Sequence, residues 1–144
     1  MLPESPGILA VDDDPNLLRM TRNVLKQVSS DVDTASSGKE AVMKCLSRSY
    51  DVVVSDLDMP EMDGIELMHL LAHDYPSVRR IILTGHTESE YMMAAINSGR
   101  VHRYLTKPWP EEEMLSVVNA EVDYAIRERE EITRLRSVID HLSS

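Results

Sequence analysis

The chain has 144 residues, of which 42% are hydrophobic and 28% charged, which is ordinary for a folded globular protein. Its net charge of −10 argues against general nucleic-acid binding, because that binding depends on a basic surface. The one cysteine, Cys45, excludes a disulfide within the chain, and no apolar run reaches the ~20 residues that a membrane span needs. We expect a cytoplasmic protein with no signal peptide, no membrane contact and no direct contact with nucleic acid.

Short apolar runs alternate with patterns of helical period along the chain. The predicted strands cover residues 7–11, 32–35, 51–56, 79–84 and 101–106. Helices are predicted at about 15–28, at 39–47, after Gly64, at 88–97, and from about 110 onward without a breaker. Five strand–helix repeats predict an α/β fold of the (βα)5 type, in which a doubly wound parallel five-stranded sheet carries helices on both faces.

Several polar residues between these elements are interpreted as structural. Asp14 before Pro15 is typical of a helix N-cap, and Asp63 before Gly64 is typical of a turn that starts a helix. No ligand spacing relates four of the five histidines, which we interpret as surface residues: His69, His73, His102 and His141.

Polar residues follow the ends of four predicted strands. Asp12 and Asp13 end the first strand, Asp56 the third and Thr84 the fourth, and Lys107 lies just after the fifth. In a doubly wound parallel sheet, ligands bind outside the carboxyl ends of the strands. The sequence therefore predicts that these five side chains meet at one edge of the sheet.

The residue types at this edge point to phosphoryl transfer. Three carboxylates in one small site repel each other unless a cation lies among them, and oxygen ligands of this kind suit Mg²⁺. A carboxylate beside such an ion can attack phosphorus and form an acyl phosphate. The transition state needs positive charge and hydrogen-bond donors, which the ammonium of Lys107 and the hydroxyl of Thr84 supply.

Four stretches at this edge resemble the signature stretches of response-regulator receiver domains of two-component signalling. They are VDDDP at 11–15, SDLDMPEMDG at 55–64, LTG at 83–85 and YLTKPW at 104–109, and the resemblance covers residues 7 to about 122. It implies a CheY-like, flavodoxin-like strand order of 2-1-3-4-5. It also implies that the partner is a sensor histidine kinase or a histidine phosphotransfer protein. The chain would then be a signalling phosphoacceptor that catalyses only its own phosphorylation and dephosphorylation.

The resemblance assigns roles to the residues that match its motifs. Asp56 is the expected phosphoacceptor, Thr84 bonds a phosphoryl oxygen, and Lys107 pairs with the phosphoryl group. The expected cofactor is Mg²⁺, with Mn²⁺ as a substitute. Its ligands would be Asp13 directly, Asp12 through a water, the phosphoacceptor itself, and the backbone carbonyl of Asp58.

The resemblance also predicts a switch and a pocket rim. Tyr104 would swing inward when the hydroxyl of Thr84 moves toward the phosphoryl group, and the small residue Gly85 would leave room for that movement. The Lys107-Pro108 peptide bond is expected to be cis. Asp58 and His86 lie two residues beyond Asp56 and Thr84 and should rim the pocket, where we expect them to set how fast water removes the phosphoryl group.

The last helix is longer than a receiver needs, since such a domain would end near Tyr124. We therefore divide the chain into a receiver at 1–124 and a helical extension at 125–144. The extension carries the 3-4-3 spacing of a coiled-coil seam, which Glu128 or Arg129 interrupts upstream. It is interpreted as a dimerising or linking helix that leads to an output domain outside this sequence. The alternative is an amphipathic helix folded back on its own domain. The seam residues are Ile132, Leu135, Ile139 and Leu142.

Two other functions compete with the receiver interpretation. Asp56-Leu57-Asp58 resembles the nucleophile motif of haloacid-dehalogenase-type phosphatases, although that motif normally follows the first strand of the sheet. A degenerate receiver that serves only protein interaction is the second alternative, and the intact acidic and basic set argues against it. The stretches LTGH and RYLTKPW are similar to those of receivers joined to HD-GYP-type cyclic-di-GMP phosphodiesterases or to enhancer-binding transcription regulators.

Overall fold

The structure, a computed structural model, describes residues 5–85 and 89–143. Strands and helices alternate along the chain as the sequence predicts. The strands are β1 (Ile8–Val11), β2 (Val32–Ala35), β3 (Val52–Asp56), β4 (Arg79–Thr84) and β5 (Arg103–Thr106). The helices are α1 (Pro15–Leu25), α2 (Gly38–Ser47), α3 (Gly64–Asp74), α4 (Glu90–Asn97) and α5 (Glu111–Ser143).

The five strands form one parallel sheet in the order β2-β1-β3-β4-β5, which confirms the predicted fold and strand order. β3 lies at the centre, where Val54 is in register with Ala10 of β1 and with Ile81 of β4. Because all strands run the same way, the residues that follow β1, β3, β4 and β5 meet at one edge of the sheet.

Alternate strand residues face two separate hydrophobic cores, as a sheet covered on both sides requires. One core joins Leu9, Val53 and Ile82 to helices α2, α3 and α4. The other joins Ile8, Val54 and other strand residues to α1 and α5. The first part of α5 packs there, where Val118, Val122 and Ala125 are buried.

Side-chain caps begin the first four helices. Asp14 accepts hydrogen bonds from the backbone N–H groups of Asn16 and Leu17, and Asp63 accepts one from Glu66, which confirms the structural interpretation of both aspartates. Ser37 and Ser89 cap α2 and α4 in the same way.

The end of the first helix differs from the prediction. α1 ends at Leu25 rather than near Val28, because the N–H groups of Gln27 and Val28 reach back only three residues: Gln27 donates to the carbonyl of Val24 at 3.0 Å. The last helix is continuous over its 33 residues, a length of about 50 Å. Among the residues that the structure describes, no helix is long and apolar enough to cross a bilayer.

The interpretation of His102 as a surface residue is wrong. Its ring is half-buried, and Nδ1 accepts a hydrogen bond of 3.0 Å from the backbone N–H of Arg80. Burial, together with the nearby charges of Arg79 and Arg80, lowers the pKa of His102 to about 4. The buried guanidinium of Arg80 donates to four backbone carbonyls around it, those of Pro76, Val78, Gly99 and Arg100. His102 therefore belongs to a structural network that ties the α4–β5 connection to the start of β4.

This network makes stability depend on pH in a defined window. The pKa of His102 is about 4 in the fold and about 6.5 in the unfolded chain, so the unfolded chain binds the extra proton more readily. We expect the free energy of unfolding to fall as pH drops from about 6.5 to about 4. His102→Asn keeps a hydrogen-bond acceptor, but asparagine does not titrate between about pH 6.5 and pH 4. In urea denaturation across this range, the free energy of unfolding of this variant should therefore fall less steeply than that of wild type. His69→Asn, at an exposed histidine of α3, is the control, and equal slopes for all three proteins would contradict the prediction.

Candidate functional site

Three carboxylates meet beyond the carboxyl ends of β1 and β3. Asp12 and Asp13 follow β1, and Asp56 is the last residue of β3. Each offers an oxygen, and these atoms all lie within 4.8 Å of one another. Asp12 is 3% exposed and Asp56 5%, whereas Asp13 is exposed. The sheet therefore brings together all three acids that the sequence placed at this edge.

A lysine approaches the acids from the far side of the same edge. The ammonium of Lys107 donates to Oδ1 of Asp56 at 2.5 Å, and the two side chains are largely buried. The backbone N–H of Lys107 donates to the carbonyl of Thr84 at 2.8 Å, which joins the end of β4 to the loop after β5. The Lys107-Pro108 peptide bond is cis, as predicted. Thr84 itself is fully buried at the end of its strand.

Backbone hydrogen bonds hold the loops around the acids. The N–H of Leu57 donates to the carbonyl of Leu83 at 2.9 Å, so pairing with β4 continues past Asp56. Gly64 at the start of α3 donates back to the carbonyl of Leu57 at 2.8 Å, which closes the intervening loop. Oδ1 of Asp12 accepts from the N–H of Asp14 at 2.9 Å. These bonds fix the backbone positions from which the acidic side chains extend.

The charges of the site are not balanced. Burial is the largest cause that raises the pKa of Asp56, and the hydrogen bond and charge of Lys107 act in the opposite direction. Burial also raises the pKa of Asp12, which the N–H of Asp14 partly offsets and the charge of Asp56 reinforces. Closely spaced carboxylates that are partly buried are suited to bind a hard divalent cation such as Mg²⁺, which takes oxygen ligands.

The residues predicted for the pocket rim and the switch differ in their exposure and in the space around them. Asp58 is exposed, and its charge raises the pKa of Asp56. A Cβ built on Gly85 would have no atom within 4 Å, so there is open space at this position. Tyr104 is 36% exposed on β5. His86 lies outside the residues that the structure describes, so its predicted place on the rim stays a prediction.

An apolar cavity that the sequence did not reveal lies beside the acids. Its volume is about 360 Å³, and it reaches Asp12 and Lys107 at one end. Leu17 and Met20 of α1 contribute exposed apolar surface to it. The remaining lining comes from Thr21, Leu83, Pro108 and Trp109. Partly exposed apolar residues on a helix give no sequence signal of a cavity, because the opposite wall comes from a loop about ninety residues away.

A contact between α3 and α4 was also not predicted. The hydroxyl of Tyr91 in α4 donates to the carboxylate of Asp63 at 2.9 Å, the same carboxylate that caps α3. Tyr91 thus ties the start of α4 to the loop that follows Asp56. Its only sequence signal was a tyrosine near the start of a helix, which does not specify a partner.

Comparison with known proteins points to one family. The chain matches the model of the response regulator receiver domain over residues 8–119. The transcriptional regulatory protein GlrR of Escherichia coli K12 is 40% identical over 101 residues, which are 70% of this chain and 22% of GlrR. The uncharacterized transcriptional regulatory protein YesN of Bacillus subtilis is 32% identical over 143 residues, 95% of this chain and 39% of YesN.

A solved structure with the same fold is also similar in sequence. The signal receiver domain of an HD domain-containing protein from Pseudomonas fluorescens Pf-5 has a TM-score of 0.83 and 32% identity to this chain. The match covers 90% of this chain and 96% of that one. The chain spans between about a fifth and a half of the length of the curated relatives it matches. These matches favour the receiver interpretation over the phosphatase alternative.

Gly64 gives a test of how closely α3 approaches the backbone of Asp56. A Cβ at this position would overlap the backbone carbonyl oxygen of Asp56, which cannot move without disturbing β3. We expect Gly64→Ala to lower the free energy of unfolding by about 1–3 kcal/mol, because overpacking outweighs the better helix propensity of alanine. Gly85→Ala, which meets open space, is the matched control. Equal free energies of unfolding of the two variants in urea denaturation would show that α3 does not lie tightly against the backbone of Asp56.

The repulsion among the acids gives a second test. Asp12→Asn removes one charge and keeps an oxygen that can accept from the N–H of Asp14. Without a divalent cation, we expect this variant to be more stable than wild type by about 1–3 kcal/mol. Added Mg²⁺ should raise the melting temperature of wild type and raise that of the variant less. Asp14→Asn keeps the helix cap and should respond to Mg²⁺ as wild type does. A destabilised Asp12→Asn variant with a full response to Mg²⁺ would contradict the prediction.

Proposed function

The chain belongs to the response-regulator receiver family of two-component signalling, and on this basis we propose that it accepts a phosphoryl group on the carboxylate of Asp56. The observation that carries the proposal is the short contact between Asp56 and Lys107 within a cluster of three acids. A buried carboxylate held by a single ammonium at the edge where parallel strands end is suited to receive a group that brings its own negative charge.

The proposed step makes one bond and breaks one. An oxygen of the Asp56 carboxylate attacks phosphorus, and the bond from phosphorus to the donor's leaving atom breaks, with the electron pair staying on that atom. Lys107, which now pairs with the carboxylate, stays within reach of the phosphoryl oxygens. Thr84, at the end of the neighbouring strand, offers a hydroxyl donor. Asp12, Asp13, Asp56 and the backbone carbonyl of Asp58 would hold Mg²⁺ or Mn²⁺, which supplies positive charge for the transferring group.

The proposed donor is a phosphohistidine on a sensor histidine kinase or a histidine phosphotransfer protein, in keeping with the receiver family. The cavity between α1 and the loop after β5 supports this proposal because it opens beside Asp56's partner Lys107. Its partly exposed apolar lining, which includes Leu17 and Met20, is suited to contact a donor protein.

The proposal also covers the conformational switch that follows phosphorylation and the lifetime of the phosphoryl group. Tyr104 and Thr84 would form the switch, since Tyr104 is partly exposed on β5 and a Cβ built on Gly85 would have no atom within 4 Å. Asp58 and His86 would set the lifetime of the phosphoryl group from the pocket rim. Asp58 is exposed beside the phosphoacceptor, which is the position from which a side chain can admit or exclude an attacking water.

We propose residues 1–124 as the receiver and 125–144 as a helical extension that carries the signal to an output domain. The long match to YesN extends over nearly all of this chain, which supports a helix that continues beyond the receiver in a longer protein. GlrR and YesN are transcriptional regulatory proteins, and the receiver from Pseudomonas fluorescens comes from an HD domain-containing protein. The output could therefore be of either kind.

Labelling with a small phosphodonor tests the central claim. After incubation with acetyl phosphate and Mg²⁺, intact-mass spectrometry should show one added phosphoryl group on wild type and none on Asp56→Asn. Asp51→Asn is the matched control, because Asp51 immediately precedes the opposite end of the same strand. It should be labelled as wild type is. Labelling of Asp56→Asn equal to wild type, or no labelling of wild type, would remove the proposed function.

A further inference from the structure

The second half of α5 leaves the domain with a row of apolar side chains in water. Beyond Glu128 every residue that the structure describes is exposed, so the helix does not fold back on its own domain. Along the row, exposure rises with distance from the domain, from 39% at Ile132 through 46% at Leu135 and 59% at Ile139 to 78% at Leu142. Four large apolar side chains on one helix face indicate a surface that another helix covers.

The exposed half is held as a helix by the domain itself. α5 is continuous from Glu111, so its exposed turns extend a helix that burial has already nucleated. Arg129 also donates to Oδ1 of Asp51 at 2.7 Å, and Oδ2 of Asp51 accepts from the N–H of Gly7 at 2.9 Å. This bridge ties the helix to the sheet at the point where it leaves.

A second anchor lies one to two turns earlier in α5. The guanidinium of Arg79 in β4 is 3.2 Å from the buried carboxylate of Glu121 and lies 3.9 Å above the ring of Tyr124. Two anchors, on Arg79 and on Asp51, fix both the direction of the helix and the side that it turns toward the domain. The apolar row is therefore presented in one orientation.

The heptad pattern of the apolar row indicates which kind of helix covers it. When Ile132 is placed at heptad position a, Ile139 is also at a, and Leu135 and Leu142 are at d. Isoleucine at a with leucine at d favours two parallel strands. The preceding d position is Glu128, and the neighbouring e position is Arg129, which Asp51 holds. The apolar seam therefore starts at Ile132.

The charges beside the seam favour the same arrangement. Glu131 is at position g and Arg136 at the following e position, the two positions that face each other between chains of a parallel pair. In an antiparallel pair, position e faces position e, so Arg136 would lie against the same arginine of the other chain. Charge complementarity thus selects a parallel neighbour with the same sequence.

We propose that a second copy of this chain docks on α5 as a parallel two-stranded coiled coil over residues 132–142. Glu131, whose carboxylate accepts from Arg134 in the single chain, lies beside Arg136 of the partner subunit in this pair and shares its charge with it, and Arg136 lies likewise beside the partner's Glu131. The inference deepens the proposed output role of the extension, and it does not require that Asp56 be phosphorylated.

Cross-linking tests the orientation. In the full chain with Cys45→Ala, Leu142→Cys would face its own copy across the d layer of a parallel pair, within disulfide range. In an antiparallel pair it would face position 132, and the two cysteines would be about 15 Å apart. We expect oxidation to give a covalent dimer with Leu142→Cys and none with Ser137→Cys, which lies on the outer face at position f. A dimer by mass that does not cross-link at 142 would overturn the proposal.

Charge exchange tests the pairing. Arg136→Glu and Glu131→Arg each turn two attractive pairs into repulsive ones, so sedimentation equilibrium should show a dissociation constant raised by roughly tenfold. The double exchange restores both pairs in a parallel dimer, and its dissociation constant should return to within about threefold of wild type. In an antiparallel dimer the double exchange would leave residue 136 facing a like charge. A double variant no tighter than the singles therefore contradicts the proposal.

Two further measurements separate this proposal from the phosphoacceptor claim. In sedimentation equilibrium, Ile139→Asp in the seam should have the mass of a monomer. Ser137→Asp on the outer face should have the same mass in solution as wild type. Both are measured with and without beryllofluoride and Mg²⁺. Wild type that is a monomer in both conditions overturns the coiled coil even if Asp56 is labelled. A dimer that cross-links at 142 supports it even if Asp56 is not labelled.

Discussion

The interaction on which the site depends is the buried contact between Asp56 and Lys107. Burial raises the pKa of both Asp56 and Asp12, and the hydrogen bond and charge of Lys107 act in the opposite direction at Asp56. The acids therefore stay together at a cost in stability. A fold accepts such a cost where function requires charge that a ligand will later balance. We propose that a phosphoryl group with its cation is this ligand.

The central strand connects this site to the rest of the molecule. Asp56 ends β3 and Asp51 directly precedes it, so one buried, valine-rich strand lies between the acidic site and the bridge that holds the long helix. β4 is arranged alike, with Thr84 at one end and Arg79, which contacts Glu121 and Tyr124, at the other. Each of these two adjacent strands thus ends at the acidic site on one side and lies against α5 on the other, and the interior between them is closely packed.

The same helix has two different surfaces because its surroundings change along its length. Up to Ala125 its apolar side chains are covered by the sheet, and beyond Glu128 the same helical period continues in water. A helix of this kind cannot be explained by the stability of its own domain, since the exposed apolar row gives that domain nothing. We propose a partner helix as the explanation, and the matches to parts of longer proteins are consistent with it.

The sequence by itself determined the order of the elements, the parallel sheet and the acids at its edge. Apolar strand runs, breakers and caps are local signals, and the rule that parallel strands present ligands at their carboxyl ends turns local positions into a shared site. Asp12, Asp13 and Asp56 could be grouped in this way before any distance was known. The tertiary structure decided what depends on pairs far apart in sequence. His102 became half-buried because Arg80 lies beside it, and Tyr91 found Asp63 across two helices. Arg129 met Asp51 only because α5 passes the start of β3. A single residue carries no record of such partners, since the contact exists only once the sheet has brought both to the same place.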